Sequence, residues 1–302
     1  MSPRAQILHW AERGHLPSQN INAALELAQV LPNPDRWRKF LSLLLLATGT
    51  LLAGSGVIFF FAYNWNGLPS LIRFAIVETL LIAGFAVAWL KQGLPGRAAL
   101  FFAALMTGAL LALIGQTYQL GADPWQLFAL WAILILPWAF AARQPDLWLL
   151  SLLLANVALG LRPLFDPNPT WFLCAFNVVA QVIWETVAPT PRLAPRLVAT
   201  AAGVALTVLI VTQIFDPPRL IPISEYLLWL AATLFFYTKV RLDLFVTAGA
   251  LLSAIVAITC LCAKALFRSR SNDVIGSSLL IALIVIALSA AAAKWLQSLS
   301  KS

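Results

Sequence analysis

The sequence predicts an all-α protein, a polytopic transmembrane helix bundle of about ten spans that follows a short cytoplasmic N-terminal helix pair. Of its 302 residues, 61% are hydrophobic and only 11% are charged, and the mean hydropathy is +0.86. Soluble domains are closer to half apolar and a quarter charged. Apolar runs long enough to cross a bilayer also recur along the chain, separated by short polar segments. These observations together indicate a multi-pass membrane protein whose first partner is the lipid bilayer.

The formal charge of +8 does not indicate nucleic-acid binding, because the basic residues lie mostly between apolar runs, where they set membrane orientation. The three cysteines lie in or near apolar runs. Cys260 and Cys262 are two residues apart, so on a helix they point to different faces. The sequence therefore predicts no disulfide framework, no metal site and no cofactor.

Residues 1–40 form the first predicted domain, and residues 41–302 the transmembrane helical domain. Two short apolar stripes at helical spacing predict a pair of amphipathic helices, with Gly14 as the stop of the first. Two such helices are too small to bury a core of their own. We expect them to pack on each other and on the membrane domain, or to lie at the lipid surface.

The ten predicted spans place most basic residues on one side of the membrane. With residues 1–40 inside, 14 of the 20 lysines and arginines fall inside and 6 outside, which satisfies the positive-inside rule. The basic loop from Lys264 to Arg270 is the exception, since it falls outside. We therefore expect a bacterial inner-membrane protein with both termini in the cytoplasm. The spans are 41–63, 72–90, 98–118, 125–142, 147–161, 170–187, 196–215, 223–238, 243–263 and 274–297.

Polar residues inside spans are rare and are the first functional candidates. Glu78 lies about 7.5 Å along the helix axis from Arg73 and does not share its helix face. It is predicted to be a proton or cation site, or a protonated carboxyl bonded to a neighbouring helix. A second candidate is a stripe in which Asn177, Gln181 and Glu185 follow at i, i+4 and i+8, with Asn156 on the preceding span. That stripe either lines an aqueous path or forms interhelical hydrogen bonds.

The polar run from Gly115 to Trp125 closes one span and opens the next. Gly121 is expected to stop the first helix, and Asp123 to cap the second, with Pro124 at its first position. Tyr118 and Trp125 suit the interfacial aromatic belt. Gln116 and Gln119 have no part in this structural explanation and therefore indicate a site.

The same region carries a resemblance. It rests on Asn64-Trp65, Leu68-Pro69 and Arg73, then on Gly115-Gln116-x-Tyr118-x-x-Gly121-x-Asp123-Pro124-Trp125 with Trp131 and Pro137, and on Leu8, Trp10 and Gly14. These residues resemble an uncharacterised family of bacterial predicted multi-pass inner-membrane proteins that also start with a short helix pair. The resemblance covers roughly the first half of the chain. It implies a bacterial inner-membrane protein and brings no reaction, ligand or catalytic residue.

The leading functional hypothesis is a solute transporter or channel-like bundle with a polar outer mouth. The alternative is a non-transporting scaffold or sensor that partners other envelope proteins. An enzyme is disfavoured, because both histidines, His9 and His15, precede the membrane domain and no catalytic set is found. The partner is accordingly an unknown small solute or an envelope protein. The candidate mouth or ligand-binding residues are Asn64, Trp65, Arg73, Glu78, Gln116, Tyr118, Gln119 and Asp123.

Overall fold

Helices account for almost all of the chain that the structure, a computed structural model, describes. The described residues are 3–28, 30, 34–63, 67–119, 121–161, 169–187, 192–215, 220–268 and 274–300. The α-helices are α1 (Pro3–Glu12), α2 (Ile21–Leu27), α3 (Pro34–Tyr63), α4 (Ser70–Leu90), α5 (Leu94–Tyr118), α6 (Pro124–Ala142), α7 (Pro145–Gly160), α8 (Pro169–Val187), α9 (Leu193–Phe215), α10 (Leu220–Phe235), α11 (Leu244–Arg268) and α12 (Val274–Leu299). A 3₁₀ turn, Ser18–Asn20, precedes α2, and a π-helical segment, Phe236–Val240, follows α10 directly.

Local sequence explains where these helices begin and end. Pro124 and Pro145 occupy the first positions of α6 and α7, where a missing amide hydrogen costs nothing. Gly14 follows α1 with a φ of +75°, a left-handed conformation that ends the helix as predicted. Gly93 adopts a φ of +76° in the tight turn between α4 and α5.

Each of the ten predicted spans corresponds to one long helix, α3 to α12. Within the described residues, seven helices are long and apolar enough to cross a membrane, namely α3, α4, α5, α6, α9, α11 and α12. The 16 residues of α7 reach about 24 Å, less than the ~30 Å hydrocarbon layer. The first of these ten helices, α3, is continuous across residue 40, where the sequence predicted the boundary between the two domains.

The chain divides into two units, residues 1–122 and residues 123–302. In the first unit α5 is the central helix, and it packs against both α3 and α4. Small residues allow this close approach: an added Cβ at Gly84 on α4 would lie 3.1 Å from the Cβ of Ala103 on α5. Phe61, Val77 and Leu113 form a buried layer among the three helices. The helix pair α1 and α2 pack on each other.

In the second unit α9 is the central helix, in contact with α7, α8, α10 and α11. Its buried face is rich in alanine, and Ala202 is completely buried. The core combines Leu206 and Leu209 of α9 with Tyr226 and Trp229 of α10. The last helix, α12, packs against α11 and has no buried residue in its most apolar window.

The turn between α4 and α5 depends on a glycine. An added Cβ at Gly96 would lie 1.9 Å from the backbone oxygen of Lys91, so we expect Gly96→Ala to displace the α4–α5 turn and to lower the unfolding temperature. The cost is about 1–3 kcal/mol, as for other overpacked sites. The matched control is Gly115→Ala in the same helix, where an added Cβ meets nothing within 4 Å. That control is expected to raise stability slightly, because alanine favours helices over glycine. Thermal unfolding of both variants in detergent tests this, and an unchanged Gly96→Ala protein would contradict it.

Candidate functional site

The strongest concentration of charge in the described chain lies at one end of the second unit. It joins the last turn of α8, the start of α9, the residue after the π-helical segment and the residue before α11. We call this set the ion-pair network. Its members are Glu185, Arg192, Arg196, Arg241 and Asp243.

Asp243 is the most deeply buried member, with a side chain that is only 2% exposed. Arg192 donates to its Oδ2 from Nη2 at 2.7 Å and from Nε at 2.9 Å. Arg196, one helical turn later on α9, donates from Nε at 3.1 Å. The same carboxylate caps α11, because its Oδ1 accepts the backbone N–H of Phe245 at 3.1 Å. One aspartate thus joins the start of α11 to the start of α9.

Glu185 is the second buried carboxylate, 7% exposed, on the last turn of α8. It accepts two bonds from Nη1 of Arg192, at 2.9 and 3.0 Å, and one from Nη1 of Arg241 at 3.1 Å. The hydroxyl of Tyr237 donates to its Oε1 at 2.7 Å. Arg192 therefore bridges both carboxylates, and its Cζ also lies 6.0 Å from the centroid of the Tyr237 ring.

Polar side chains continue from this network into the interior of the unit. Gln181, one turn before Glu185, donates from Nε2 to the Tyr237 hydroxyl at 3.3 Å. Tyr237 reaches this position from the π-helical segment, whose wider turn changes the direction of its side chains relative to α10. We call Asn156, Asn177, Gln181 and Tyr237 the polar column.

The deep end of the polar column is the pair Asn156 and Asn177. The Nδ2 of Asn177 donates to Oδ1 of Asn156 at 2.6 Å and to the carbonyl of Leu173 at 2.9 Å. Asn177 is completely buried, and its Oδ1 has no hydrogen-bond partner among the described residues. It lies ten residues from the end of α8, about 15 Å along the helix axis and so near the middle of the helix. An unpaired buried acceptor costs roughly 1–3 kcal/mol, so this oxygen requires an explanation.

The electrostatics of the ion-pair network favour its charged form. Burial raises the pKa of Asp243, but the hydrogen bonds and charges of Arg196 and Arg192 outweigh burial, and the net pKa lies below its ordinary value of 3.8. For Arg192, burial lowers the pKa, but the hydrogen bonds that it donates to Glu185 and Asp243 and the charges of these carboxylates outweigh burial, so the net pKa is raised. Three guanidinium groups face two carboxylates, which leaves one positive charge in excess.

The candidate mouth residues of the first unit lie near one end of α4 and α5. The Phe74 and Tyr118 rings are 6.3 Å apart, which brings the start of α4 to the end of α5. Arg73 donates from Nε to the carbonyl of Leu68 at 2.9 Å. Gln116 and Gln119 are exposed. Asn64 and Trp65 lie outside the described residues.

Two details of the polar run differ from expectation. Gln119, not Gly121, provides the left-handed residue that ends α5, with φ of 46° and its N–H bonded to the carbonyl of Gly115. Gln119 therefore has a structural role that its sequence context did not indicate. Asp123 stands at the N-cap of α6 as predicted, but without a side-chain capping bond. Glu78 lies on the exposed side of α4.

Sequence reasoning missed the arginines, Asp243 and Tyr237. Arg192, Arg196 and Arg241 were counted only as orientation signals between spans. One signal was available for Asp243, which is an isolated carboxylate at the start of an apolar run and two residues after Arg241. For Tyr237 no sequence signal existed, because the π-helical segment that orients it reads as ordinary apolar helix.

Comparison with protein families supports the resemblance noted above. Residues 8–148 match the family model described as Predicted membrane protein (DUF2157). The match covers just under half of the chain and confirms a similarity to predicted membrane proteins of unknown function. With its several long apolar helices, the chain is a multi-pass membrane protein. Comparisons with curated proteins and with solved structures gave no match. The ion-pair network lies beyond the matched residues.

Replacing Asp243 tests the ion-pair network. Asp243→Asn removes a buried charge and leaves the guanidinium groups of Arg192 and Arg196, 21% and 41% exposed, with one carboxylate fewer. Loss of one partner from a fully buried pair costs about 3–5 kcal/mol, and partial exposure reduces this to roughly 2–3 kcal/mol. In detergent, the unfolding temperature of Asp243→Asn should be lower than that of wild type. The control Asp123→Asn, at an exposed position, should leave the unfolding temperature unchanged.

The pH dependence follows from the lowered pKa of Asp243. Because the pKa of Asp243 is lower in the folded state, this carboxylate contributes its full stabilisation above the ordinary pKa of 3.8. The contribution is lost as the pH falls through the lower folded-state pKa. The stability difference between wild type and Asp243→Asn should therefore stay constant from about pH 5 to 8 and shrink below about pH 4. A difference that changes near neutral pH would contradict this assignment.

Proposed function

We propose that the second unit is a gated pathway for a small polar solute, closed at one end by the ion-pair network. The observation that carries the proposal is the unpaired Oδ1 of Asn177, fully buried at about mid-depth of a helix whose other polar residues lead to the network. An acceptor held without a partner in the described protein can bind a solute donor. Intramembrane polar groups of this kind are expected at transport sites more often than elsewhere.

The chemistry of Asn177 suggests the class of solute. Both amide hydrogens of its Nδ2 already bond to Asn156 and Leu173, so only an acceptor remains. The acceptor suits a solute with N–H or O–H donors, or a small cation. Opening requires separation of Arg192 from its two carboxylates, since that arginine bridges Glu185 and Asp243.

We propose separately that polar residues of the first unit form a mouth for solute. In the first unit its described members are Arg73, Glu78, Gln116, Tyr118 and Gln119. An exposed carboxylate within a span is costly in contact with lipid, which supports a functional role for Glu78.

Flux measurements test the pathway. The full-length protein in liposomes is screened with protons, sodium, ammonium, urea and glycerol. For any solute that passes, Asn177→Leu should reduce flux at least tenfold, and Arg192→Gln should increase it by weakening the closed end. The control Thr259→Val removes a hydroxyl that bonds to the Ile255 carbonyl of its own helix, and it should leave flux unchanged.

Three outcomes would count against parts of this proposal. Unchanged flux in Asn177→Leu would exclude the polar column as the path. Unchanged flux in Glu78→Gln would remove Glu78 from the mechanism. Absence of flux for every solute, together with a recurrent cross-linked protein partner in native membranes, would favour the second candidate.

That second candidate is a scaffold or sensor for another envelope protein. It is favoured by large apolar side chains exposed on the N-terminal helix pair, where Trp10 is 53% and Leu27 is 85% exposed. Exposed apolar groups of this size are typical of docking surfaces. The largely uncovered α12 is a further surface on which a membrane partner would pack.

We propose the ten-span topology in a bacterial inner membrane, with both termini cytoplasmic. The distribution of 14 against 6 basic residues supports this orientation. Reporter fusions should place the α8–α9 and α10–α11 connections in the cytoplasm and the α11–α12 connection outside. A cytoplasmic α11–α12 connection would overturn the ten-span count.

A further inference from the structure

Three of the five α-helices of the first unit form an apolar groove. It lies among α3, α4 and α5, opens to the side, and has a volume of about 440 Å³. Its floor consists of small residues, Gly49, Ala53, Gly84 and Ala99, between larger side chains such as Leu45 and Phe102. The volume falls within the range of small-ligand sites, roughly 300–1,000 Å³.

The groove offers no hydrogen bond to an occupant. Thr50 is the one lining residue with a polar side chain, and its hydroxyl donates to the carbonyl of Leu46 on its own helix at 2.7 Å. Every other lining residue is a glycine or has an apolar side chain. A polar solute would lose its hydration there without compensation, whereas a hydrocarbon chain would not.

One end of the groove is strongly basic. Val87 and Pro95 line this end, and the exposed cations Lys91 and Arg97 lie four and two residues beyond them. The first turns of α3 add Arg38 and Lys39, also exposed. Asp35 is the one acidic residue of α3, and the described residues of the α4–α5 turn include none. Basic residues beside a gap between membrane helices favour anionic headgroups.

We propose that this groove binds an anionic phospholipid, with an acyl chain along Gly49, Ala53 and Gly84 and the phosphate near Lys91 and Arg97. An anionic phospholipid fits both the apolar lining and the basic end of the groove, because one molecule carries a hydrocarbon chain and a negatively charged headgroup. A helix from a second copy is less favourable, because a two-fold dimer about this face would bring the same basic clusters together.

Native mass spectrometry of the full-length protein tests the proposal. The protein is released from detergent after exposure to equal amounts of dioleoylphosphatidylglycerol and dioleoylphosphatidylcholine, and the retained lipids are counted. Wild type should retain the anionic lipid preferentially. Lys91→Gln should reduce that preference about fivefold, the effect of one basic residue near an anionic surface. Lys294→Gln, which removes an exposed cation of α12, is the control and should change nothing.

A second pair of variants tests the groove itself. Gly49→Leu fills it and should abolish preferential retention of the anionic lipid. An added Cβ at Gly49 meets nothing within 4 Å, so the new side chain starts without a clash. Gly56→Leu is the matched control on the same helix, with the same free space and no place in the groove lining. Thermal unfolding confirms that each variant is folded.

Three results would overturn the proposal. The first is equal retention of the two lipids by wild type. The second is an equal effect of Gly49→Leu and Gly56→Leu. The third is a change of oligomeric state in Gly49→Leu with lipid retention unchanged, which would assign the groove to a second copy. None of these readouts depends on solute flux, so failure here leaves the proposed pathway untouched.

Discussion

In this protein the hydrophobic effect does not select which helix faces meet, because lipid is as apolar as the helices themselves. Close approach must come from small residues and from polar contacts between helices. Both units follow this constraint. Each has one central helix, α5 or α9, whose buried face is rich in glycine and alanine. Gly84 of α4, for example, packs so closely on α5 that an added Cβ would lie 3.2 Å from the Ala99 carbonyl oxygen.

The second unit adds polar contacts to this small-residue packing. Ser253 on α11 lies 2.7 Å from the Thr207 hydroxyl on α9 and 3.0 Å from the Tyr226 hydroxyl on α10, so three helices share one hydrogen-bonded group. The ion-pair network lies at helix ends, whereas the described amides and hydroxyls that bond between helices lie further along them. This order follows from solvation, since a charge costs more than an amide when it is moved away from water.

The ion-pair network and the apolar groove illustrate two settings in which basic residues at helix ends are found. Lysines and arginines between spans set orientation, and the sequence shows them only in that role. In the second unit Arg192 and Arg196 are held by Asp243, whose low pKa keeps the pair charged. In the first unit Lys91 and Arg97 lie beside an apolar groove. What distinguishes the two groups is the neighbouring surface, a buried carboxylate in one case and hydrocarbon in the other.

Much of the fold could be predicted from local sequence. Ten apolar runs predicted the positions of ten helices, and the spacing of Asn177, Gln181 and Glu185 predicted that they share one face. The partners of these residues could not be predicted, because they come from distant parts of the chain. Glu185 meets residues 52 and 56 positions later, and Asp243 meets residues 47 and 51 positions earlier.

The sequence by itself determined that this is a helical membrane protein, where its helices lie and which residues are polar within them. Those properties are local, because helical hydrogen bonds join residues four apart and hydropathy is a property of each run. Only the tertiary structure decided that Arg192 bridges two carboxylates, that the Oδ1 of Asn177 stays unpaired and that Glu78 is exposed. Helices that are apolar on nearly every side can meet in many ways, and a few polar and small residues select one of them.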